Sequence, residues 1–323
     1  MSTNELKRNN NLKTVFSKLG IYIAFLVIFI IIGILSHRFL SFDNIMNVMR
    51  QVSFNGILAL GMTFVIITGG IDLSVGSTLA FAGLVSMSFS VQGNNPLPLI
   101  VAVLIGLTVA AIIGFMNGVL ISKFKLAPFI VTLSTMTIIR GLGLVYSNGR
   151  PVINPTDEFS VIGQGYIGNI SIPVVIFIVL IAISVLLLHF SRFGRHVLAV
   201  GGNEVAAKAS GLNVDKIKIL VYTLAGLFAG IVGITLAARS NAASPITGVG
   251  YELDAIAASV IGGVSMAGGI GTILGTVIGA LIIGVISNGL DLLNVSSYYQ
   301  QIIKGLIILI AVMMDRKGQQ ADK

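Results

Sequence analysis

Apolar residues in this chain gather in long, nearly unbroken blocks rather than in one-faced or alternating stripes. Ten such blocks stand out, at roughly 20–36, 54–70, 73–91, 99–121, 128–146, 172–190, 217–238, 254–268, 271–289 and 301–314. A helix needs roughly 20 apolar residues to cross the hydrocarbon of a bilayer. Within lipid, only helices and closed barrels satisfy every backbone N–H and C=O. The block lengths predict helices, hence an all-α integral membrane fold: a polytopic bundle of about ten transmembrane helices. The eighth and tenth blocks are short, which leaves room for re-entrant or tilted helices there. The expected division is a tail over 1–19, a membrane domain over 20–314 carrying a long polar loop at 191–218, and a second tail over 315–323.

Composition strengthens this picture. Only 10% of the residues are charged, against about 25% in a soluble domain, too few to cover a water-facing surface. The 38 glycines against 7 prolines suit close helix packing in lipid. Gly271, Gly275 and Gly279 repeat at intervals of four, as do Gly226 with Gly230 and Gly114 with Gly118. A weak internal echo is also present. Gly69-Gly70-Ile71 with Gly76 returns as Gly268-Gly269-Ile270 with Gly275, an offset of 199 residues that also lays the first block over the seventh.

The net charge of +8 would suit a nucleic-acid partner in a soluble protein. Its distribution points instead to loops on one side of a membrane, and no nucleic acid is expected. With the amino terminus inside, alternate loops and the tails receive Lys7, Arg8, Lys13, Lys18, Lys123, Lys125, Arg192, Arg195, Lys208, Lys216, Lys218, Arg316, Lys317 and Lys323, 14 of the 20 basic residues. By the positive-inside rule both termini are expected in the cytoplasm. The basic, apolar amino end resembles a secretory signal, but Ser36-His37-Arg38-Phe39 lacks a small-x-small cleavage pattern, so a retained first span is expected.

Catalytic chemistry finds no residues to work with. Cysteine is absent and the three histidines share no metal-ligand spacing, so no metal and no cofactor are expected. No Gly-Lys dipeptide occurs, which excludes a Walker phosphate loop. If transport here uses ATP, another chain must bind it.

Three polar constellations remain. In the loop 191–218, Asn203 is a good N-cap, Glu204 suits the positive end of a helix, and Gly211 suits a left-handed C-cap. A short helix with small side chains is expected between them. From spacing alone it either seats in a partner or lies along the lipid surface, the latter being the simpler reading. Asp72 and Ser74 sit where two apolar blocks almost touch. A carboxylate at such depth either serves the transport path or caps the third helix. Glu252 and Asp254 stand at the start of the eighth block, either as caps or as partners of a base. Arg140 is expected to snorkel to the interface, and Tyr298 and Tyr299 to anchor there.

Several motifs together carry a resemblance. They are Gly61-Met62-Thr63 leading to Thr68-Gly69-Gly70-Ile71-Asp72-Leu73-Ser74-Val75-Gly76; Ala127-Pro128-Phe129-Ile130; Gly201-Gly202-Asn203-Glu204 through Ser210-Gly211; Gly250-Tyr251-Glu252-Leu253-Asp254; Gly262-Gly263 with Gly268-Gly269; and Val295-Ser296-Ser297-Tyr298-Tyr299-Gln300. Over roughly 45–320 the chain resembles the permease subunits of bacterial ribose-type ATP-binding-cassette (ABC) importers, within the branched-chain amino-acid and pentose permease superfamily. The resemblance implies a bacterial plasma-membrane protein in lipid, paired with a second copy of itself. It implies a cytoplasmic ABC ATPase, an extracytoplasmic sugar-binding protein, and a monosaccharide substrate, D-ribose first. It implies that Arg195, Asn203, Glu204, Ala206, Ala207 and Gly211 meet the ATPase; Asp72, Ser74, Glu252 and Asp254 stay, by their position alone, candidates for the path or its gate. Ser244-Pro245-Ile246 and Asp291 depart from the family pattern. An ion-coupled sugar transporter is the rival, with Asp72 as its one strong candidate for an intramembrane acid.

Overall fold

A computed structural model describes residues 20–321. The tail 1–19, with Lys7, Arg8, Lys13 and Lys18, and the terminal Lys323 lie outside the described residues. Each of the ten apolar blocks carries a helix. They are α1 (Gly20–Leu35), α2 (Phe42–Ile67), α3 (Val75–Ser88), α4 (Leu99–Ser122), α5 (Pro128–Tyr146), α7 (Ile172–Val185), α10 (Val214–Ser240), α11 (Tyr251–Ile261), α12 (Ile273–Leu292) and α13 (Ser297–Ala321). Three further helices lie between blocks: α6 (Asp157–Gln164), α8 (Arg192–Gly202) and α9 (Glu204–Ala209). Among the described residues six helices are long and apolar enough to cross a membrane, namely α2, α4, α5, α10, α12 and α7 with its π-helical continuation Leu186–Phe190. The others fall short of that measure; α3 has 14 residues and α11 has 11.

Burial orders these helices into a centre and a rim. Residues 52–67 of α2 are buried on every side, as expected of a helix that is apolar all round and enclosed by others. α7, α10, α11 and α12 surround it, while α4 and α5 keep most of their surface outward. The glycine stripes explain how the helices come so close. A Cβ on Gly114 would strike the carbonyl of Tyr222, one on Gly226 the carbonyl of Ala110, and one on Gly118 would lie 2.6 Å from the Cα of Ile219. The stripes expected on α4 and α10 therefore face one another. Gly275 and Gly279 do the same for α12 against the carbonyls of Gly262 and Ala258 on α11.

The two ends of the bundle differ. At one end Lys125 pairs with Asp215 at 2.8 Å and Lys218 with Glu204 at 2.7 Å, gathering basic residues of the loop 191–218 beside that of α4–α5. At the other end two short antiparallel pairs close the surface: β1 (Val152–Ile153) with β4 (Ala242–Ala243), and β2 (Tyr166–Ile167) with β3 (Ile170–Ser171). Around Phe159 of α6 a small second core forms there with Leu84, Met87 and Ile234. The Arg140 guanidinium donates to the carbonyls of Pro245 and Thr247 in the loop after β4, both at 2.7 Å.

The internal echo extends to the order of elements. Shifted by 199 residues, α1, α2, α3 and α4 fall on α10, α11, α12 and α13. Both copies of the Gly-Gly-Ile motif occupy breaks between consecutive helices.

Candidate functional site

The loop 191–218 is folded throughout. Ser191 caps α8, its hydroxyl accepting from the Gly194 N–H at 3.1 Å. α8 then runs to Gly202, a helix absent from the sequence expectation. Asn203 starts a new helix as expected: its side-chain oxygen accepts from the Ala206 N–H at 2.9 Å. α9 ends at Ala209, and the chain turns away at Gly211, with φ +84°. The Gly211 and Leu212 N–H groups donate to Lys208 and Ala207 carbonyls, the double bond of a glycine-terminated helix. Arg195, Asn203, Glu204, Ala206 and Gly211 are exposed at the basic end, whereas Ala207 is buried and faces inward. An exposed apolar residue beside them is one the motifs did not single out: Val205, 80% exposed. A valine beside a cap was its only signal.

α8 connects this surface to the centre. Gly201 lies so close to the break between α2 and α3 that a Cβ there would overlap the carbonyl oxygen of Ile67 and sit 2.6 Å from the Gly269 nitrogen. Gly269 in turn donates its N–H to the same Ile67 carbonyl at 2.8 Å. Gly268 and Gly269 have φ of +91° and +76°, a region that suits glycine alone. Three backbones thus meet without side chains between them: the end of α8, the α2–α3 break and the α11–α12 break. Both glycine motifs of the internal echo are in this junction.

Asp72 lies in that first break and is 1% exposed. Its Oδ1 accepts from the Ser74 N–H at 2.9 Å and the Ser74 hydroxyl at 2.6 Å. The chain of bonds continues from Asn117 Nδ2 to Ser74 Oγ at 2.9 Å, and from the Thr135 hydroxyl to Asn117 Oδ1 at 2.6 Å. Asp72 takes part in none of the three ion pairs among the described residues. The carboxylate thus closes a turn just ahead of α3 and, through Ser74, ties the start of that helix to α4 and α5. Replacing Asp72 by Ala strands the Ser74 donors in the interior, a loss of about 1–3 kcal/mol to be read as reduced yield of folded protein. Asp72→Asn keeps an acceptor and removes the charge. Uptake by Asp72→Asn is expected to stay within a few-fold of wild type, whereas a proton-carrying carboxylate would leave it dead.

Glu252 and Asp254 divide the two readings open for them. Glu252 accepts from the Gly250 N–H at 3.2 Å, a capping bond at the start of α11. Asp254 meets a base: Lys304 of α13, at 2.9 Å. Asn55 of α2 adds a longer bond to the same carboxylate oxygen at 3.5 Å. Lys304 interrupts the last apolar block, and a cation inside such a block asks for a partner. That was the signal available, though not the identity of the acid. Further along the same seam Thr63 and Thr276 share a hydroxyl bond of 2.6 Å, both with no exposure.

Such a body, helical, lipid-facing at its rim and polar along buried seams, with a folded surface at its basic end, is that of a membrane permease component. The family profile described as "Branched-chain amino acid transport system / permease component" matches residues 44–312, and the chain belongs to that family. It is 48% identical over 305 residues to the ribose import permease protein RbsC of Bacillus subtilis (strain 168), covering 94% of each chain. It is 48% identical to RbsC of Escherichia coli (strain K12), over 92% of this chain and 93% of the relative. To the L-arabinose transport system permease protein AraH of E. coli K12 it is 38% identical, over 96% and 93%. No solved structure matches the chain. The protein is a multi-pass component of the bacterial inner membrane, a transport subunit rather than an enzyme.

Proposed function

We propose that this chain is the permease subunit of an ABC importer and carries a monosaccharide, D-ribose, into the cytoplasm by alternating access. The relatives named for ribose import are 48% identical over nearly the full chain, against 38% for the arabinose permease. In this reading ten helices span the membrane, with α1, α3, α11 and α13 completing the six long ones, and the basic end with both termini faces the cytoplasm. The partners are a second copy of the chain, surrounding lipid, a cytoplasmic ATPase and an extracytoplasmic sugar-binding protein. The surface around Arg195, Asn203, Glu204, Val205, Ala206 and Gly211 docks on the ATPase, with Ala207 packing its helix from behind. Glu252 and Asp254 stand by the outer mouth of the path, and Asp72 with Ser74 braces the hinge.

One observation carries the coupling role: the backbone junction of Gly201 with Ile67 and Gly269. Interiors are close-packed and pass displacement on rather than absorb it. A shift of α8 and α9 is therefore delivered to both helix breaks at once, and the helices that flank them move together. The rival, ion-coupled transport, is disfavoured by the relatives, which are named as ribose import permeases.

Substrate is tested by labelled uptake in a strain lacking its own ribose permease, with the cognate ATPase and binding protein supplied. Ribose uptake restored at least tenfold over the empty strain, with arabinose and galactose left near background, is the expected outcome. Preferential uptake of either of those sugars would reassign the substrate.

A further inference from the structure

Guanidinium groups favour carboxylates, which they grip through two parallel N–H bonds. Arg50 and Arg239 have no such partner: each of the three ion pairs among the described residues employs a lysine. Both arginines are partly exposed, and they meet at the end of the bundle closed by the β-pairs, opposite the basic end. Membrane proteins concentrate their arginines and lysines on the cytoplasmic side, so two unpaired ones together at the far end need a reason. We propose that Arg50 and Arg239 receive an acidic side chain of the extracytoplasmic sugar-binding protein, an inference that rests on the importer reading above.

The two guanidinium groups are fixed in place but not neutralised. Arg50 Nη2 donates to the Tyr166 hydroxyl at 2.7 Å, and the group lies 5.5 Å from the centre of that ring. Arg239 lies 5.4 Å over the ring of Phe54, which is one helical turn along α2 from Arg50. The two cations are near enough to act on each other. An aromatic face attracts a guanidinium without cancelling its charge. Among the described residues the Arg239 side chain has no hydrogen-bond or ion-pair partner, and Arg50 Nε is buried with none. Two like charges held together repel, and one carboxylate placed between them relieves both.

Position decides what can reach the pair. Phe54 is 2% exposed and belongs to the part of α2 enclosed by α7, α10, α11 and α12. The arginines therefore stand over the centre of the bundle and not over the outward faces of α4 and α5, where lipid lies. A protein seated on this end covers them. Beside them the β2–β3 hairpin presents Tyr166 and Ile167, 56% and 61% exposed, and arginine with tyrosine is enriched at protein contacts.

The test uses the permease with its ATPase in proteoliposomes with ATP enclosed, titrated from outside with sugar-loaded binding protein. Arg50→Gln and Arg239→Gln are each expected to raise the binding-protein concentration for half-maximal uptake about tenfold, with maximal uptake within threefold of wild type. Added salt should raise that concentration in wild type and act less on the variants, which lack the charge it screens. A lower maximum at unchanged half-saturation, or no change in either, would make the arginines structural and overturn the contact. A shift seen only in vesicles with anionic lipid would assign the pair to headgroups and overturn it too. The chain has no cysteine, so a photo-crosslinker on Ile167→Cys marks one place beside the arginines. It should capture purified binding protein, and failure to do so would also overturn the proposal, even where an arginine variant does not reach the membrane. A wild-type importer indifferent to the binding protein would instead overturn the importer reading beneath it.

Discussion

Gly201→Ala is expected to abolish sugar uptake, by at least tenfold, while the protein still inserts and still binds its ATPase. The added methyl carbon has nowhere to go, since its position is already taken by the Ile67 carbonyl and the Gly269 nitrogen is 2.6 Å away. Neither obstacle is a side chain that could swing aside. The end of α8 must therefore lift off both helix breaks. Overpacking of this kind typically costs 1–3 kcal/mol, and here it is concentrated at the contact through which motion passes. Hydrolysis by the complex should continue without transport. Gly202 is the control next door: a Cβ there meets nothing within 4 Å, so Gly202→Ala should transport nearly as wild type. Measuring uptake and hydrolysis for both variants checks the prediction. Equal behaviour of the two would show that the junction carries no coupling.

The second large effect is expected at the surface of α9. Val205 is 80% exposed on the chain alone, with the small, exposed Ala206 and Ala209 on the same short helix. If this surface fills a groove in the ATPase, Val205→Asp places an unpaired carboxylate in a desolvated contact, which costs about 3–5 kcal/mol when a buried charge is left alone. The ATPase should then be lost on affinity purification of the tagged permease, with binding weaker by about 100-fold or more, at about 1.4 kcal/mol for each factor of ten. Glu204→Arg should act in the same direction, since it also sets a second cation beside Lys218, now paired to Glu204 at 2.7 Å. Val205→Ala, which trims the contact without charging it, should cost far less. Co-purification of the three variants decides the matter.

What could be read from the sequence was whatever depends on neighbours along the chain. α5 occupies 128–146, the expected range, because Pro128 opens it and a turn follows Tyr146. The cap at Asn203 and the left-handed Gly211 are local devices and appear where expected. α2 begins at Phe42 rather than near residue 54, since Asp43, Asn44, Arg50 and Gln51 broke the apolar block without breaking the helix. α8 was missed because Gly194, Gly201 and Gly202 depress helix propensity, and packing overrides it. The candidate site depended on distant residues. Asn117 is 43 positions from Ser74, and Lys304 is 50 from Asp254. The atoms nearest to a Cβ on Gly201 are all backbone, and backbone contacts leave no side-chain pattern to find.

The energy source is the most direct test of the whole scheme. Vesicles holding the permease, with ATP enclosed and no ion gradient across them, can be compared with and without the cognate ATPase, with binding protein and labelled ribose outside. Accumulation that appears only when the ATPase is present, and persists when protonophores and sodium ionophores are added, is the expected result. Accumulation by the permease without the ATPase, driven by an imposed proton or sodium gradient, would contradict it.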